Sequence, residues 1–366
     1  MTGLTPPTLQ PSTIAEVCDA IRATPRVLAV GARTKPRLSQ VKDGVALLST
    51  HALSGIVEYD PSEFTFTAAA GTPLREIAAA LAGRGQYLPF DPMLIDAGAT
   101  LGGTVAAGLS GSGRFRFGGL RDFILGVRFV DGAGRLLRMG GKVVKNAAGF
   151  DLPKFFVGSL GRFGVLAEIT FKVFPRPAST LTLRLEAATL DAAMKILTEA
   201  ANSRFEFDAL DVLPDETCVL ARLAGPAAAL HTLAREVFAR WPGELVSEDA
   251  AETAWADLRE FRWTQPDAPL LKVALSPASV VALGRAVQSL AGARMHLSAG
   301  GNVAFISLAA TRQAGEFDER LRNLGLSGVT LRGESPLWLG VRAWPVIAGA
   351  VKQALDAENR FPSLDD

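Results

Sequence analysis

The sequence predicts an α+β fold built from two successive domains, and three observations support this prediction. The chain has 366 residues, which is too long for one typical small domain and suits two. Strand-like segments in the N-terminal half are combined with long glycine-rich stretches. Beyond Pro175 to Pro177, glycines become fewer, and strand-like and helix-like segments alternate. We therefore predict a domain boundary at Pro175 to Pro177, with a first domain at 1–177 and a second domain after it.

The first domain is expected to begin with a short helix and several strands. Thr13 and Glu16 have the spacing of a capping box, and apolar residues then recur at helical spacing. Val27 to Val30 predicts a strand that runs directly into a glycine-containing loop. Val45 to Ser49 and the alternating segment Phe64 to Ala68 predict two further strands.

A second helix, a hairpin and a closing strand complete the first domain. Thr72 predicts the N-cap of a helix with a proline at its first position, and Gly83 predicts its end. Phe123 to Val130 and Arg135 to Met139 flank the sequence DGAG, whose glycines supply the positive φ angles of a tight turn. Leu166 to Val173 predicts the strand that closes the domain.

Two successive β-α-β-β-α-β units are predicted for the second domain. The first unit runs from Leu181 to Val246 and the second from about Leu270 to Leu331. A helix within Ala250 to Phe261 is expected between them, and Trp344 to Asp356 predicts a terminal helix.

Charge and cysteine content exclude several classes of protein. The formal net charge is +1, so the whole molecule has no strong attraction for nucleic acids or membranes. Cys18 and Cys218 form no CxxC pair and lack the spacing of zinc or iron–sulfur ligands. No apolar run of about 18 residues and no secretory leader pattern occur, and we expect a cytoplasmic protein, with membrane association only through partners.

The first segment that indicates ligand binding is the loop after the strand at Val27 to Val30. It consists of Gly31, Ala32, Arg33, Thr34, Lys35, Pro36 and Arg37. Three basic side chains accumulate there without an acid, and small residues expose backbone N–H groups that bind anions. The loop therefore suits a phosphate group, although a plain surface turn is an alternative.

A second, longer segment runs from Ala97 to Gly119 and is not interrupted by any acidic residue. Its many glycines are costly in a folded chain, unless a ligand must touch the backbone directly. The alternative, a flexible linker, would expose Leu101, Val105 and Leu109 to water. We therefore interpret the segment as part of a binding site.

The third segment comprises Lys142 to Leu152 and the glycine-rich run Gly158 to Val165, which precedes a strand. A Rossmann unit places its glycines after a strand and before a helix, with GxGxxG spacing. That spacing and the GxxxxGK[ST] phosphate-binding pattern do not occur in the sequence. Neither a nicotinamide Rossmann site nor a P-loop NTPase is supported.

These three segments, in this order, resemble the FAD-binding domain of the vanillyl-alcohol oxidase and p-cresol methylhydroxylase superfamily. The specific motifs are GGTVAAGLSGSGRFRFGGLRD and KNAAGFDLPKFFVGSLGRFGVLAEITFKVFP, and the resemblance covers about 10–177. Within the superfamily, the chain is most similar to the E subunits of bacterial glycolate oxidase. The resemblance implies a two-part FAD-binding domain, an α+β cap domain at 178–335 and a tail at 336–366 that returns to the FAD domain.

Carrying the family's motifs onto this chain gives a set of candidate cofactor-binding residues. They are Gly31, Ala32, Arg33, Thr34, Lys35, Pro89, Thr100, Gly102, Gly103, Thr104, Ala107, Gly108, Gly118, Asp122, Lys145, Gly161, Gly164 and Val165. Many relatives have glycines where this chain has Ala32 and Arg33. Members that attach the flavin covalently use a His in the first loop or a Cys in the second segment; neither occurs here, so noncovalent FAD is expected.

Oxidation of a 2-hydroxy acid requires a base for the hydroxyl proton and a flavin that accepts hydride. The histidines are His51, His231 and His296. Related dehydrogenases commonly have a GHxGDGNxH-like block, whereas this chain reads HLSAGGNV from His296, without the second His or the acid. We therefore interpret His296 as an ordinary strand residue and assign no catalytic residue and no metal site.

The main hypothesis is a flavin-carrying subunit of a glycolate or D-lactate oxidase or dehydrogenase complex. The resemblance implies two partners, a second FAD-binding catalytic subunit and an iron–sulfur subunit. Two alternatives keep the same fold: a self-sufficient FAD oxidase of another small substrate, and a noncatalytic assembly subunit with a relict flavin site.

Overall fold

The computed structural model describes residues 6–141, 151–214, 216–342, 346–363 and 365. The strands are β1 Thr8–Leu9, β2 Val27–Val30, β3 Ala46–Ser49, β4 Ile56–Asp60, β5 Thr65–Ala69, β6 Gln86–Tyr87, β7 Ile124–Val130, β8 Leu136–Gly140, β9 Val165–Lys172, β10 Phe174–Pro175, β11 Ser179–Leu185, β12 Phe207–Val212, β13 Val219–Gly225, β14 Gly243–Val246, β15 Leu270–Ala274, β16 Arg294–Ser298, β17 Val303–Ser307, β18 Ser327–Arg332 and β19 Trp338–Gly340. The α-helices are α1 Ile14–Ala23, α2 Leu74–Ala82, α3 Leu101–Ala107, α4 Arg114–Phe117, α5 Leu120–Phe123, α6 Leu152–Phe155, α7 Leu190–Ala201, α8 Ala227–Arg240, α9 Glu248–Glu260, α10 Val280–Gln288, α11 Gln313–Asn323 and α12 Val346–Leu355. Short 3₁₀ helices lie at Pro36–Ser39, Pro277–Ser279 and Ala299–Gly301.

A small parallel sheet with strand order β1-β3-β2 forms the N-terminal layer, and α1 packs on it. Thr13 caps α1, because its Oγ1 accepts a hydrogen bond from Glu16 N at 3.2 Å. The Glu16 carboxylate accepts from Ser12 N, so the reciprocal half of the predicted capping box is shifted by one residue. The N-cap of α2 is likewise shifted: it is Pro73, while Thr72 Oγ1 donates to Ala69 O at 2.7 Å.

Beside this layer lies a five-stranded antiparallel sheet with strand order β4-β5-β9-β7-β8. The predicted hairpin is confirmed as β7 and β8, which pair in register from Val130 opposite Leu136. The inner face of the sheet buries Phe66, Phe129 and Phe171. The glycine-rich segment forms helices α3, α4 and α5, of which α3 packs on this sheet and α4 contacts β12. The segment is therefore a packed part of the fold.

Two β-α-β-β-α-β units are present in the C-terminal half, and they occur in the predicted order. The first unit contains β11, α7, β12, β13, α8 and β14; the second contains β15, α10, β16, β17, α11 and β18, and α9 lies between them. The two units share one nine-stranded sheet, β14-β11-β13-β12-β16-β17-β15-β18-β19. The α+β fold class is thus confirmed, while the domain boundaries at 177 and 335 stay predictions.

The segment after β19 contacts the N-terminal half of the chain. Val27 N donates to Arg360 O at 2.7 Å and Gly132 N donates to Leu355 O at 2.8 Å. Phe361 is buried in the small core around α1 and the parallel sheet. Among the helices of the described ranges, none combines the length and hydropathy needed to cross a lipid bilayer.

Candidate functional site

The carboxyl ends of β2 and β3 form one edge of the candidate site. The two strands are parallel, with Val30 opposite Ser49, so both end at the same edge. Thr50, which follows β3, donates from its backbone N to Val30 O at 2.9 Å. The loop Gly31 to Lys35 leaves β2 at this edge and forms the first wall of the site.

Gly31 packs against the second glycine-rich segment, which forms the second wall. A Cβ atom on Gly31 would lie 2.3 Å from Thr100 Oγ1, so the absence of a side chain permits this close approach. Thr100 is also the N-cap of α3, and its Oγ1 accepts from Gly103 N at 3.3 Å. One threonine hydroxyl therefore fixes both the start of α3 and its distance from the first loop.

The loop between α6 and β9 forms the third wall and is bonded to the side of α3. Gly158 N donates to Val105 O, and Leu160 N donates to Ala106 O, each at 2.9 Å. Leu160 has φ +50° and Gly161 has φ +74°, a left-handed conformation that leucine rarely adopts. These backbone hydrogen bonds hold the unusual turn beside α3.

The three walls enclose two adjoining clefts. The first has a volume of about 440 Å³ and is lined by Ala29, Val30, Gly31, Ala32, Arg33, Thr34, Lys35, Leu38, Ser39, Thr100, Gly103, Ala106, Ala107 and Leu160. The second has a volume of about 360 Å³ and is lined by Ala29, Val30, Gly31, Thr50, Ala70, Gly102, Gly103, Ala106, Ser159, Gly161, Gly164 and Leu166. Because Gly31, Gly103 and Ala106 line both, the clefts form one continuous groove.

Lys35 gives the first cleft a buried positive charge. Its side chain is 7% exposed, and Nζ donates to Thr34 Oγ1 at 2.9 Å. Burial lowers the pKa of Lys35 from 10.5 to about 8. None of the described acidic residues forms an ion pair with it. A buried cation without a carboxylate is costly, and an anionic ligand would offset that cost.

Gly103 and Arg33 show how the groove accommodates a ligand against the backbone. A Cβ atom on Gly103 would meet only Thr100 Oγ1, at 3.0 Å, so the rest of this space is open. Arg33 has φ +54°, which is the conformation that glycine adopts most easily. The loop thus keeps a glycine-like shape although the position carries an arginine. Open backbone, a buried cation and small residues together fit a dinucleotide diphosphate.

Most of the predicted cofactor-binding residues meet at this groove. They are Gly31, Ala32, Arg33, Thr34, Lys35, Thr100, Gly102, Gly103, Ala107, Gly161 and Gly164. The predicted residues Pro89, Thr104, Gly108, Gly118, Asp122 and Val165 line neither cleft. Lys145 lies outside the described residues. Contact of any of these residues with the cofactor stays a prediction.

Four of the predicted residues outside the groove, Pro89, Gly108, Asp122 and Val165, have visible structural roles. Gly108 ends α3 with φ +61°, and Asp122 accepts from Gly119 N at 2.9 Å. Val165 belongs to the small core around α1. Pro89 packs closely against Gly113, because a Cβ atom on Gly113 would lie 2.0 Å from Pro89 O.

Sequence reasoning missed several residues that line the groove, notably Thr50, Ala70 and Leu160. Thr50 and Ala70 directly follow β3 and β5. The only feature of the sequence that indicated Thr50 and Ala70 was their position after a predicted strand. Leu160 lies inside the glycine-rich run Gly158 to Val165, where the glycines and not the leucine indicate a binding loop.

His296 is not part of the groove. It lies on β16, is 1% exposed, and its Nε2 is 2.8 Å from Asp211 Oδ2. Ser112 Oγ donates to the same carboxylate oxygen at 2.5 Å, and Ala299 N donates to Oδ1 at 3.0 Å. This network joins the glycine-rich segment to the nine-stranded sheet.

Comparison with known proteins identifies relatives of the chain. A family model described as "FAD binding domain" matches residues 7–140. Glycolate oxidase subunit GlcE of Escherichia coli (strain K12) is 39% identical over 247 residues, which cover 68% of this chain and 67% of GlcE. Glycolate oxidase subunit GlcD of Bacillus subtilis (strain 168) is 29% identical over 194 residues, which cover 52% of this chain but only 41% of GlcD.

The fold is also found in a solved structure. Alkyldihydroxyacetonephosphate synthase superposes with a TM-score of 0.70 and 16% sequence identity, covering 96% of this chain and 76% of the synthase. At this identity the likeness concerns the fold alone. The match to the FAD-binding family model and the match to GlcE show that the chain belongs to the FAD-binding oxidoreductases of the vanillyl-alcohol oxidase and p-cresol methylhydroxylase type, in the family that contains GlcE, and that its cofactor is FAD.

Proposed function

We propose that this chain is the FAD-carrying subunit of a complex that oxidises glycolate or D-lactate to the corresponding 2-oxo acid. The proposal is supported by relatives named as glycolate oxidase subunits GlcE and GlcD and as D-lactate dehydrogenases. FAD is bound noncovalently in the groove between the Gly31 to Lys35 loop, the start of α3 and the loop before β9. The subunit names of the relatives support a multi-subunit assembly.

The observation that carries the proposal is the buried Lys35, which forms no ion pair with any acidic residue that the structure describes, beside the open backbone of Gly103. Lys35 would balance the negative charge of the diphosphate, because charge-assisted hydrogen bonds in a buried site are strong. Gly103 would leave room for the diphosphate to approach the backbone of α3. Thr100 would keep these two walls at a fixed separation.

When bound, FAD accepts the hydride that leaves the substrate carbon during oxidation. Among the described residues that line the two clefts, none is a His, Asp or Glu. The groove therefore supplies charge and shape for the diphosphate, and Lys35 is assigned to that role rather than to accepting the hydroxyl proton. In this proposal the proton-accepting group belongs to a second FAD-binding catalytic subunit, and electrons leave through an iron–sulfur subunit.

Reconstitution of the purified chain with FAD tests the cofactor site. We expect a flavin absorbance band at about 450 nm that remains after desalting and is released by acid, as noncovalent binding requires. Gly103→Leu should remove the band because its side chain would occupy the open space. Gly315→Leu is the matched control, since a side chain on Gly315, in the exposed surface of α11, meets no atom within 4 Å. Full flavin content in folded G103L would disprove the assigned site.

Bleaching of the flavin band by glycolate or D-lactate tests whether oxidation of the substrate requires the partner subunits. We expect slow or no bleaching of the isolated chain and rapid bleaching after the partner subunits are added. Rapid bleaching without partners would instead identify a self-sufficient oxidase. A folded chain that never acquires flavin would identify an assembly subunit.

A further inference from the structure

We propose that Lys352 is a positioning residue for the cofactor, which acts by fastening the loop before β9 to the segment Lys352 to Pro362. This inference rests on the placement of FAD in the groove described above. Lys352 lines neither cleft, so its effect on the cofactor would be transmitted through the loop.

Lys352 projects from α12 into a buried site made of oxygen atoms. Its Nζ donates to Arg162 O at 2.8 Å and to Asp356 Oδ2 at 2.5 Å. It also lies 3.1 Å from both Phe361 O and Pro362 O. The residue is 8% exposed, and its ammonium lies 5.6 Å from the centre of the Phe361 ring. One ammonium group therefore satisfies backbone carbonyls from two distant parts of the chain.

Arg162 belongs to the third wall of the groove. It follows Leu160 and Gly161, which line the first and second clefts and adopt left-handed backbone conformations. Two hydrogen bonds, from Gly158 N and Leu160 N, attach the front of this loop to α3. The hydrogen bond from Lys352 to Arg162 O holds the same loop at the residue after Gly161. A left-handed leucine persists only where its surroundings hold it, and this loop is held from two directions.

The same segment also holds the first wall. Arg360 O accepts from Val27 N at 2.7 Å at the start of β2, the strand that leads into Gly31. Arg360 Nη1 donates to Ile21 O at 3.0 Å and to Thr24 O at 2.9 Å. Asp356 fixes the segment itself, because its Oδ1 accepts from Arg360 N at 2.8 Å. Lys352 thus connects the third wall to the element that supports the first.

The physical role of Lys352 follows from what its loss would leave behind. Replacement by methionine keeps an apolar stem of similar length and removes the donor. Arg162 O and the Asp356 carboxylate would then be buried without this partner, which is unfavourable. Water entering the site, or movement of the loop, would relieve the cost. Both outcomes remove the direct link between Arg162 O and α12, so Leu160 and Gly161 are held less firmly relative to α3.

The decisive experiment compares Lys352→Met with Val287→Ala in the full chain. Val287 is buried in the separate core around α10, so V287A destabilises the fold at a distance from the groove. We expect K352M to weaken FAD binding roughly five- to fiftyfold, a typical coupling between distant sites. We expect V287A to bind FAD as the wild type does. Equal affinities of all three proteins, or equal losses in both variants, would overturn the proposal.

Hydrogen–deuterium exchange on the apoprotein provides a readout that does not depend on FAD. K352M should accelerate exchange at the amides of Gly158, Leu160 and Arg162 and leave α10 unchanged. Unaltered exchange at the amides of Gly158, Leu160 and Arg162 would also refute the proposal. If G103L instead keeps its FAD, the placement of the cofactor in the groove is contradicted. If K352M does not fold, Asp356→Asn is subjected to the same measurements. It removes one charge at nearly constant shape, and wild-type affinity and exchange in D356N would overturn the proposal.

Discussion

Gly31 and Thr100 approach so closely that a Cβ atom on Gly31 would lie 2.3 Å from Thr100 Oγ1. The two residues belong to segments almost 70 positions apart that form opposite walls of the groove. The width of the cofactor site is therefore set by a contact that tolerates no side chain on the first loop.

Gly31→Ala should both destabilise the protein and weaken FAD binding, because the added methyl group pushes the two walls apart. We expect a loss of about 1 to 3 kcal/mol in the free energy of unfolding, as for other overpacked sites. Urea denaturation of the apoprotein measures it. The double variant G31A/T100A should be more stable than the sum of the single changes predicts. If the effects of G31A and T100A on the free energy of unfolding are strictly additive, the Gly31–Thr100 contact does not limit how closely the two walls approach.

Lys35→Met should stabilise the apoprotein while weakening its affinity for FAD. Loss of this buried cation is expected to raise the free energy of unfolding by about 3 kcal/mol at pH 7, as the lowered pKa of Lys35 implies. Loss of the charged donor should raise the FAD dissociation constant roughly 10- to 150-fold. Thermal unfolding and FAD titration measure the two effects. A variant that is less stable and binds FAD normally would contradict both expectations.

The difference in stability between K35M and the wild type should depend on pH in one direction. Lys35 has a folded-state pKa of about 8 and an ordinary value of 10.5, so the unfolded chain binds more protons between these pH values. The cost of the buried charge is fully present below pH 8 and disappears as the pH rises to 10.5. The stability advantage of K35M over the wild type should therefore shrink over this range. An advantage that grows would show that the charge is compensated in the fold.

The affinity of the wild type for FAD should fall as the pH rises above about 8, since neutral Lys35 no longer attracts the diphosphate. Titrations between pH 7 and 10 test this expectation, with K35M as the control that lacks the titrating group. Parallel pH profiles of the two proteins would exclude a role for the Lys35 charge.

Arg222→Leu should be among the more damaging single changes outside the groove. Arg222 donates to Asp91 Oδ2 and to Asp208 Oδ2, each at 2.6 Å, and links the N-terminal half to β12 and β13. Removing it leaves two carboxylates without their partner, and we expect a loss of about 3 to 5 kcal/mol. Burial already raises the pKa of Asp208, with Arg222 opposing that effect. The loss should thus be smaller at pH 5 than at pH 7, which urea denaturation at both pH values tests.

Local patterns in the sequence predicted much of this fold. The β7–β8 hairpin followed from its turn glycines, and the order of strands and helices in the two C-terminal units followed from their alternation. These signals are local, because a turn or an amphipathic segment depends on residues only a few positions apart. The shift of the α2 N-cap from Thr72 to Pro73 reflects a competing contact, in which Gly55 and Ala69 bond to the Thr72 hydroxyl.

The groove was predictable where glycines mark it and unpredictable where distant contacts create it. Gly31, Gly103 and Gly161 were identified because each lies in a glycine-rich segment. The support from Lys352 involves a carbonyl 190 positions away, and no residue type signals such a contact in advance. The burial of Lys35 likewise depends on how three loops meet in space.

The nine-stranded sheet has a weak joint at its centre. Within the described chain, β12 and β16 pair only where Val212 lies opposite Leu297, whereas neighbouring strands pair over most of their length. Asp211 on β12 bonds across this joint to His296 on β16, and its carboxylate also accepts a hydrogen bond from Ser112 in the glycine-rich segment. The two units of the sheet are therefore coupled through one buried carboxylate and a shared hydrophobic core rather than through a ladder of backbone hydrogen bonds.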